Sequence, residues 1–199
     1  MLSLQGIGCH NINFVSPSHV VAQILAALPS AVAGGLKIPL VYNTGGYDSV
    51  ETLQLLDGVF DIYMPDIKFM DGRIADKFCR AKDYPERVKG AIKEMHRQVG
   101  DLMMNQRGIA ERGLLIRHLV LPGGLAGTRE AMKFLAGEIS SHTYVNIMAQ
   151  YHPCGTAREH SPLHRRITQA EYDEASAIAR EEGIHRLDER PGLRIMRFI

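Results

Sequence analysis

The sequence predicts an α/β fold, a partial β/α barrel of parallel strands. Short apolar runs alternate with amphipathic segments along the chain, and polar residues or glycines follow most of the apolar runs. When a helix connects two neighbouring strands of one sheet, the two strands run parallel and the crossover between them is right-handed. Five predicted strands are too few to close an eight-stranded barrel, so we expect an open barrel formed by a single domain, residues 1–199.

The five predicted strands are short apolar runs that end in turn residues. In chain order they are residues 11–15, 38–42, 59–64, 114–121 and 144–148. The second strand ends in the turn NTGG and the third in PDIK, so polar groups directly follow buried backbone.

The predicted helices lie between these strands and after the last one. They are residues 18–33, 49–56 and 71–80, a long helix that starts near Asp83 and has an apolar stripe from Val88 to Met103, and then residues 128–138 and 168–182. The fourth is the clearest, because apolar residues recur three and four positions apart from Val88 to Met103. Two helix starts, at Asp83 and Thr168, are followed three residues later by Glu, which is capping-box spacing.

Composition and charge exclude several classes of protein. Lys and Arg number 23 against 22 Asp and Glu, so no net charge draws the chain to nucleic acid or to a membrane surface. No stretch has the roughly 18 apolar residues of a membrane span, and the first residues lack a signal peptide's basic region and cleavage site. The cysteines, Cys9, Cys79 and Cys154, are odd in number and widely spaced, which favours reduced thiols. We therefore predict a cytoplasmic protein with no nucleic-acid or membrane partner.

Polar residues collect at the carboxyl ends of the predicted strands. Asn43 and Thr44 follow the second strand, Asp66 and Lys68 follow the third, and His118 lies in the second half of the fourth. Because parallel α/β folds bind ligands at these strand ends, we predict that these residues share one concave site. Asp66 and Lys68 are two residues apart on one face, which suits either a rim ion pair or two groups that grip a polar ligand.

Four stretches, taken in order, resemble the radical S-adenosylmethionine (radical SAM) enzymes, in particular the subgroup similar to pyruvate formate-lyase activating enzyme. They are IPLVYNTGGYDS, DIYMPDIKFMD, LLIRHLVLPGGLAGT and YVNIMAQYHP. The resemblance covers nearly the whole chain, and GCHNINFVSP and VYNTGGYDS are its most specific parts. It implies a partial β/α barrel that binds S-adenosylmethionine as a small-molecule cofactor, and it leaves open a protein substrate.

The resemblance also implies which residues contact the cofactor. They are Asn11, Asn13, Asn43, Thr44, Asp66, Lys68, Arg117 and His118. In this reading the first strand meets the methionine moiety and the second the ribose, while Asp66 and Lys68 match the family's Asp-x-Lys strand end. The stretch 151–153 would end the last strand.

The sequence departs from that family at the metal site. The full-length family holds a [4Fe–4S] cluster through three cysteines spaced CxxxCxxC, and no such spacing occurs among residues 1–199. The motif would follow the first strand, and residues 1–5 read as the last turn of a helix, so we expect a chain that lacks the first βα unit. We expect no metal site at Cys9 and His10, which are predicted to form a turn with a small buried thiol.

Two other functions remain open at this point. One is a non-catalytic fragment or binding module that keeps the S-adenosylmethionine face without the cluster. The other is a β/α-barrel lyase in which Lys68 forms a Schiff base. Asp66 argues against the lyase, because a neighbouring carboxylate favours the protonated ammonium over the free amine.

Overall fold

The computed structural model describes residues 1–188, in which seven strands form one sheet. The strands are β1 Ile12–Val15, β2 Leu40–Thr44, β3 Ile62–Ile67, β4 Met103–Met104, β5 Ala110–Leu119, β6 Tyr144–Met148 and β7 Arg186–Leu187. The spatial order is β1-β2-β3-β5-β6-β7 with all of these neighbours parallel, while β4 pairs antiparallel with β5. Because β1 and β7 lie at opposite ends of this order, the sheet is open.

Seven α-helices accompany the sheet within the described part of the chain. They are α1 Leu2–Gly6, α2 Val21–Ala33, α3 Val50–Gln54, α4 Gly72–Cys79, α5 Tyr84–Val99, α6 Thr128–Phe134 and α7 Gln169–Glu181. The parallel strands follow each other in space as they do in the chain, so the crossovers never reverse direction. A sheet wound in one direction keeps its helices on one face, as in a β/α barrel, whereas a doubly wound sheet has helices on both. The predicted partial barrel is therefore confirmed. No helix among residues 1–188 is both long and apolar enough to cross a membrane.

The two faces of the sheet differ in burial. Along β5 the side chains of Leu114, Ile116 and His118 are fully buried or nearly so, whereas Leu115 and Arg117 between them are partly exposed. Successive side chains of a strand point to opposite faces. The helices therefore cover one face, and no helix among residues 1–188 covers the other, which we call the open face.

A short hairpin formed by β4 and β5 closes the amino-terminal end of the open face. Leu102, just before β4, packs against Val41 of β2 and Ile62 of β3, and all three side chains are buried. Gly113 makes this approach possible, because it has φ +115° and a Cβ there would collide with the backbone of residues 101 and 102. The open face is consequently apolar at this end and polar at the other.

The five predicted strands are present, with bounds shifted by a few residues. Sequence reasoning missed β4, β7 and the first four residues of β5. The fourth predicted helix ends at Val99 rather than at Met103, which lies in β4 and is 63% exposed. The capping box at Thr168 is confirmed, but the one at Asp83 is wrong, because the Asp83 carboxylate binds Tyr47 and Arg87 instead.

Candidate functional site

Three charged side chains meet at the carboxyl end of the open face and form what we call the charged triad. Asp66 lies near the end of β3, opposite Arg117 of β5 in the register of the sheet. Its Oδ2 accepts a hydrogen bond from Lys68 Nζ at 2.7 Å, and its Oδ1 accepts one from Arg117 Nε at 2.7 Å. Two cations thus share one carboxylate, which leaves this part of the surface positively charged.

The triad is partly shielded but still open to a ligand. The Asp66 side chain is 11% exposed, whereas those of Arg117 and Lys68 are 23% and 35% exposed. A carboxylate held between two cations in this way is oriented before any ligand arrives. Lys68 and Arg117 each keep further N–H donors, so the pair can bind an anionic group from the open side.

Two asparagines flank the triad on the same face. Asn43 of β2 pairs in register with Met64, two residues before Asp66, and Asn146 of β6 pairs with Arg117. Asn43 is 6% exposed, and among residues 1–188 its side-chain amide has no hydrogen-bond partner. An amide can both donate and accept, which suits a ribose hydroxyl. Asn146 was missed by sequence reasoning, although a polar residue within the apolar run YVNIM is a signal for it.

The Tyr84 hydroxyl holds the ends of β2 and β3 together. It lies 3.0 Å from the carbonyl oxygens of Gly45 and Asp66, and it accepts a hydrogen bond from the Lys68 N–H at 3.1 Å. A Cβ on Gly46 would collide with the Asp66 carbonyl, so the turn after β2 can lie this close only with glycine. These contacts position Lys68 and the turn beside one another, and a Cβ at Gly45 would lie 3.3 Å from Lys68 Nζ.

Thr44 lies on the helix-covered face and already has its partners. Its hydroxyl donates to Asp48 Oδ2 at 2.6 Å and accepts from the Gly46 N–H at 3.2 Å. Asp48 also accepts hydrogen bonds from Tyr42 and Ser18, at 3.0 and 2.6 Å. Thr44 therefore stabilises the turn after β2, and its side chain is not directed at the same surface as Asn43.

His118 also lies on the helix-covered face, so the prediction that it shares a surface with Asp66 is wrong. It is fully buried, and its Nε2 lies 3.0 Å from the Thr128 hydroxyl at the start of α6. Burial lowers the pKa of His118 to about 4, partly opposed by the Ile67 backbone, so the imidazole is neutral at pH 7. Its Nδ1 has no partner of good hydrogen-bond geometry among the described residues. Arg117 and His118 are neighbours in a strand, and the pleat sends them to opposite sides.

Asn11 and Asn13 lie at the edge of the sheet. Asn11 precedes β1, and Asn13 is exposed and pairs in register with Val41, in the apolar part of the open face. Asn13 therefore lies nearer the amino-terminal end than Asn43 does. The Cys9 thiol is partly exposed rather than buried as predicted.

The cysteines do not form a cluster site. Cys9 precedes β1, Cys79 ends α4 and Cys154 follows β6, and all three are free thiols. Within residues 1–188, no three His, Cys, Asp or Glu side chains are grouped so as to hold a metal ion. The residues present therefore do not fit a [4Fe–4S] cluster.

The arrangement defines a class of fold, an open β/α barrel with a polar site at the carboxyl ends of its central strands. A domain of pyruvate-formate lyase-activating enzyme from Bacteroides vulgatus has a similar structure, with a TM-score of 0.58 and 14% identity. The match covers 87% of this chain and 93% of that domain. At this identity the likeness concerns the fold alone, an open and partial β/α barrel.

A relative in sequence is the uncharacterized protein MJ0674 of Methanocaldococcus jannaschii, which is 29% identical over 169 residues. The alignment covers 85% of this chain but 46% of that protein, so the chain spans about half the length of this relative. No protein-family model matches the sequence.

Proposed function

We propose that the open face binds S-adenosylmethionine and that the chain belongs functionally with the radical SAM activating enzymes. The charged triad carries this proposal, because it puts a fixed carboxylate and two cations at the carboxyl ends of adjacent strands of a radical-SAM-like fold. The structural likeness to a domain of an activating enzyme supports it. A protein substrate is part of the proposal, since the named function of that neighbour is to activate a lyase.

The residues of the open face match the groups of this cofactor by charge and hydrogen bonding. Lys68 and Arg117 would hold the carboxylate of the methionine part, since both are cations with donors to spare. Asp66 and Asn43 would accept hydrogen bonds from ribose hydroxyls. In radical SAM enzymes the bound cofactor supplies a radical when it is cleaved reductively.

Reductive cleavage requires a cluster whose ligands this sequence does not contain. Because Cys9, Cys79 and Cys154 do not fit a cluster, the ligands would have to come from outside this sequence. We therefore propose that this chain by itself binds the cofactor without cleaving it. Anaerobic reconstitution with iron and sulfide should give no iron–sulfur absorbance band.

The contact between Lys68 and Asp66 disfavours the lyase. At 2.7 Å the Lys68 side chain is bound to the carboxylate, whereas a Schiff-base nucleophile must be free to attack a carbonyl carbon. Borohydride treatment in the presence of a carbonyl compound should therefore leave Lys68 unmodified.

Calorimetry with S-adenosylmethionine tests the proposed site. Replacement of Lys68→Ala or Asp66→Asn should each weaken binding by about tenfold or more, since a hydrogen bond to a charged group contributes roughly 1.5–3 kcal/mol. His10→Ala is the control, because His10 is exposed and lies before β1, away from the triad. Equal affinity in all three variants, each with wild-type circular dichroism, would show that the triad is not the site.

A further inference from the structure

Two connections at the carboxyl ends of the strands meet across the end of β5. One, residues 71–82, contains α4 and follows β3; the other, residues 151–167, follows β6. The rings of Phe78 and His160 lie 6.0 Å apart, edge to face, and join the two connections. Gly123, in the turn after β5, lies under the second connection, since a Cβ there would be 2.9 Å from the Pro162 ring. The two connections therefore form one continuous surface, which we call the basic rim.

The basic rim concentrates positive charge in a chain that is almost neutral. These two segments contain seven Lys and Arg residues against three Asp and Glu, whereas the whole chain has 23 against 22. The rest of the chain is therefore acidic overall. Three of the nine histidines also lie in the second segment.

The cations of the rim are available to a partner. Lys77, Arg80, Lys82 and Arg158 are exposed, and none of them makes an ion pair with another residue of the range 1–188. The Lys77 ammonium lies 5.2 Å from the centre of the Phe78 ring, which holds it beside the junction of the two connections.

Ion pairs neutralise two of the seven rim cations, because Arg73 binds Asp71 at 3.0 Å and Arg165 binds Glu171 of α7 at 2.8 Å. Among residues 1–188 the other five rim cations make no ion pair, and neither do the two remaining rim carboxylates, so the rim keeps a net positive charge. The Arg165 guanidinium, its main partner, holds the pKa of Glu171 far below its usual range, so this carboxylate stays ionised and paired.

The rim adjoins the charged triad. The first connection begins at residue 71, three residues after Lys68, and Cys79 is the last residue of its helix α4. Burial raises the pKa of Cys79, and the Lys68 charge offsets part of that rise. A partner seated on the rim would therefore reach the carboxyl end of the open face.

We propose that the basic rim docks an acidic segment of a partner polypeptide. Free cations on one surface attract a partner of opposite charge and set its orientation. The aromatic side chains of the rim do not suit nucleic acid, which binds by stacking bases on exposed rings. Phe78 is half-buried beside Lys77, and Tyr151 is half-buried with its hydroxyl bonded to the Leu163 carbonyl. This surface is distinct from the S-adenosylmethionine contacts, and docking does not require the cofactor.

Fluorescence anisotropy with a labelled oligoglutamate peptide tests the docking surface at low salt. Lys77→Glu, Arg80→Glu and Arg158→Glu together should weaken peptide binding by about tenfold or more, as expected when several opposite charges are lost. The matched control combines Lys37→Glu, Arg107→Glu and Lys133→Glu, three exposed cations outside the rim. Both triple variants change the net charge equally, so the control should retain most of the binding.

Equal weakening by the two triple variants would overturn the proposal, because the peptide would then respond only to net charge. Tighter binding of a single-stranded DNA oligonucleotide than of the peptide, lost in the rim variant, would also overturn it in favour of nucleic acid. Circular dichroism and thermal unfolding of each variant confirm that the fold is retained.

Discussion

Asp66 is bound from two sides, by Lys68 from its own chain segment and by Arg117 from β5. Both cations are more than half shielded from water, so loss of the carboxylate would leave two like charges close together without a counter-charge. One side chain thus fixes the direction of two others. A ligand that carries a carboxylate would meet cationic groups that are already in place, which lowers the entropy cost of binding.

His118 should make the stability of the protein depend on pH below neutrality. Its folded-state pKa of about 4 lies below the ordinary 6.5, so the folded protein resists a proton that the unfolded chain accepts. The contribution of His118 to the free energy of unfolding is constant above pH 6.5 and decreases as the pH drops from 6.5 towards 4. At about 1.4 kcal/mol per pH unit, the total loss is up to about 3 kcal/mol.

The His118→Gln variant tests this dependence, because glutamine keeps a hydrogen-bonding group near Thr128 but does not titrate. Urea unfolding at a series of pH values should give a shallower decline between pH 6.5 and 4 than in the wild type. His164→Gln, at an exposed position, is the control and should follow the wild type. If the stability of His118→Gln declined with pH as steeply as that of the wild type, His118 would not be the cause of the pH dependence.

At the scale of elements, the β4–β5 hairpin depends on one glycine. Gly113→Ala should destabilise the protein by about 2 kcal/mol or more, since φ is +115° and the new methyl group would overlap the backbone of residues 101 and 102. Gly108→Ala is the matched control: its φ is +72° with open space around it, so it should cost about 1 kcal/mol. Urea unfolding measures both. Equal losses of stability in the two variants would mean that the positive φ alone, and not the contact with residues 101 and 102, determines the cost of the substitution.

The elements that sequence could predict are those specified by local pattern. Apolar runs between turn residues identified five strands, and the spacing of apolar residues identified α5. The two-residue strands β4 and β7 have no such pattern, because their pairing depends on where a distant strand lies. Met103 fits the helical spacing of α5, but Gly100 ends that helix first.

The sequence predicts where the candidate site lies, but it does not predict the face of the sheet to which each side chain points. Asp66 and Lys68 are fixed by their strand end, whereas Arg117 and His118 could be assigned to faces only once the register was known. Tyr84 had no local signal, since its three backbone partners are brought together by the fold.

At the scale of the whole molecule, no strand among residues 1–188 pairs with the outer edge of β1. The N–H groups of Ile12 and Ser16 bond to the β2 side, so those of Asn13 and Val15 point outward. Val15 is 68% exposed, and Ile7 nearby in sequence is 78% exposed. An exposed edge with apolar side chains is a template for pairing with a second strand.

We therefore predict that the chain associates with itself through residues 11–15 as its concentration rises. Sedimentation velocity over a dilution series should show dimers for the wild type, while Val15→Lys should remain monomeric at about tenfold higher concentration, because a lysine on an edge strand opposes pairing. Val32→Lys is the control: Val32 is 62% exposed but lies on α2, away from the edge. If Val32→Lys abolished the dimer as fully as Val15→Lys, association would proceed through the helical surface, and the edge of β1 would not be the contact.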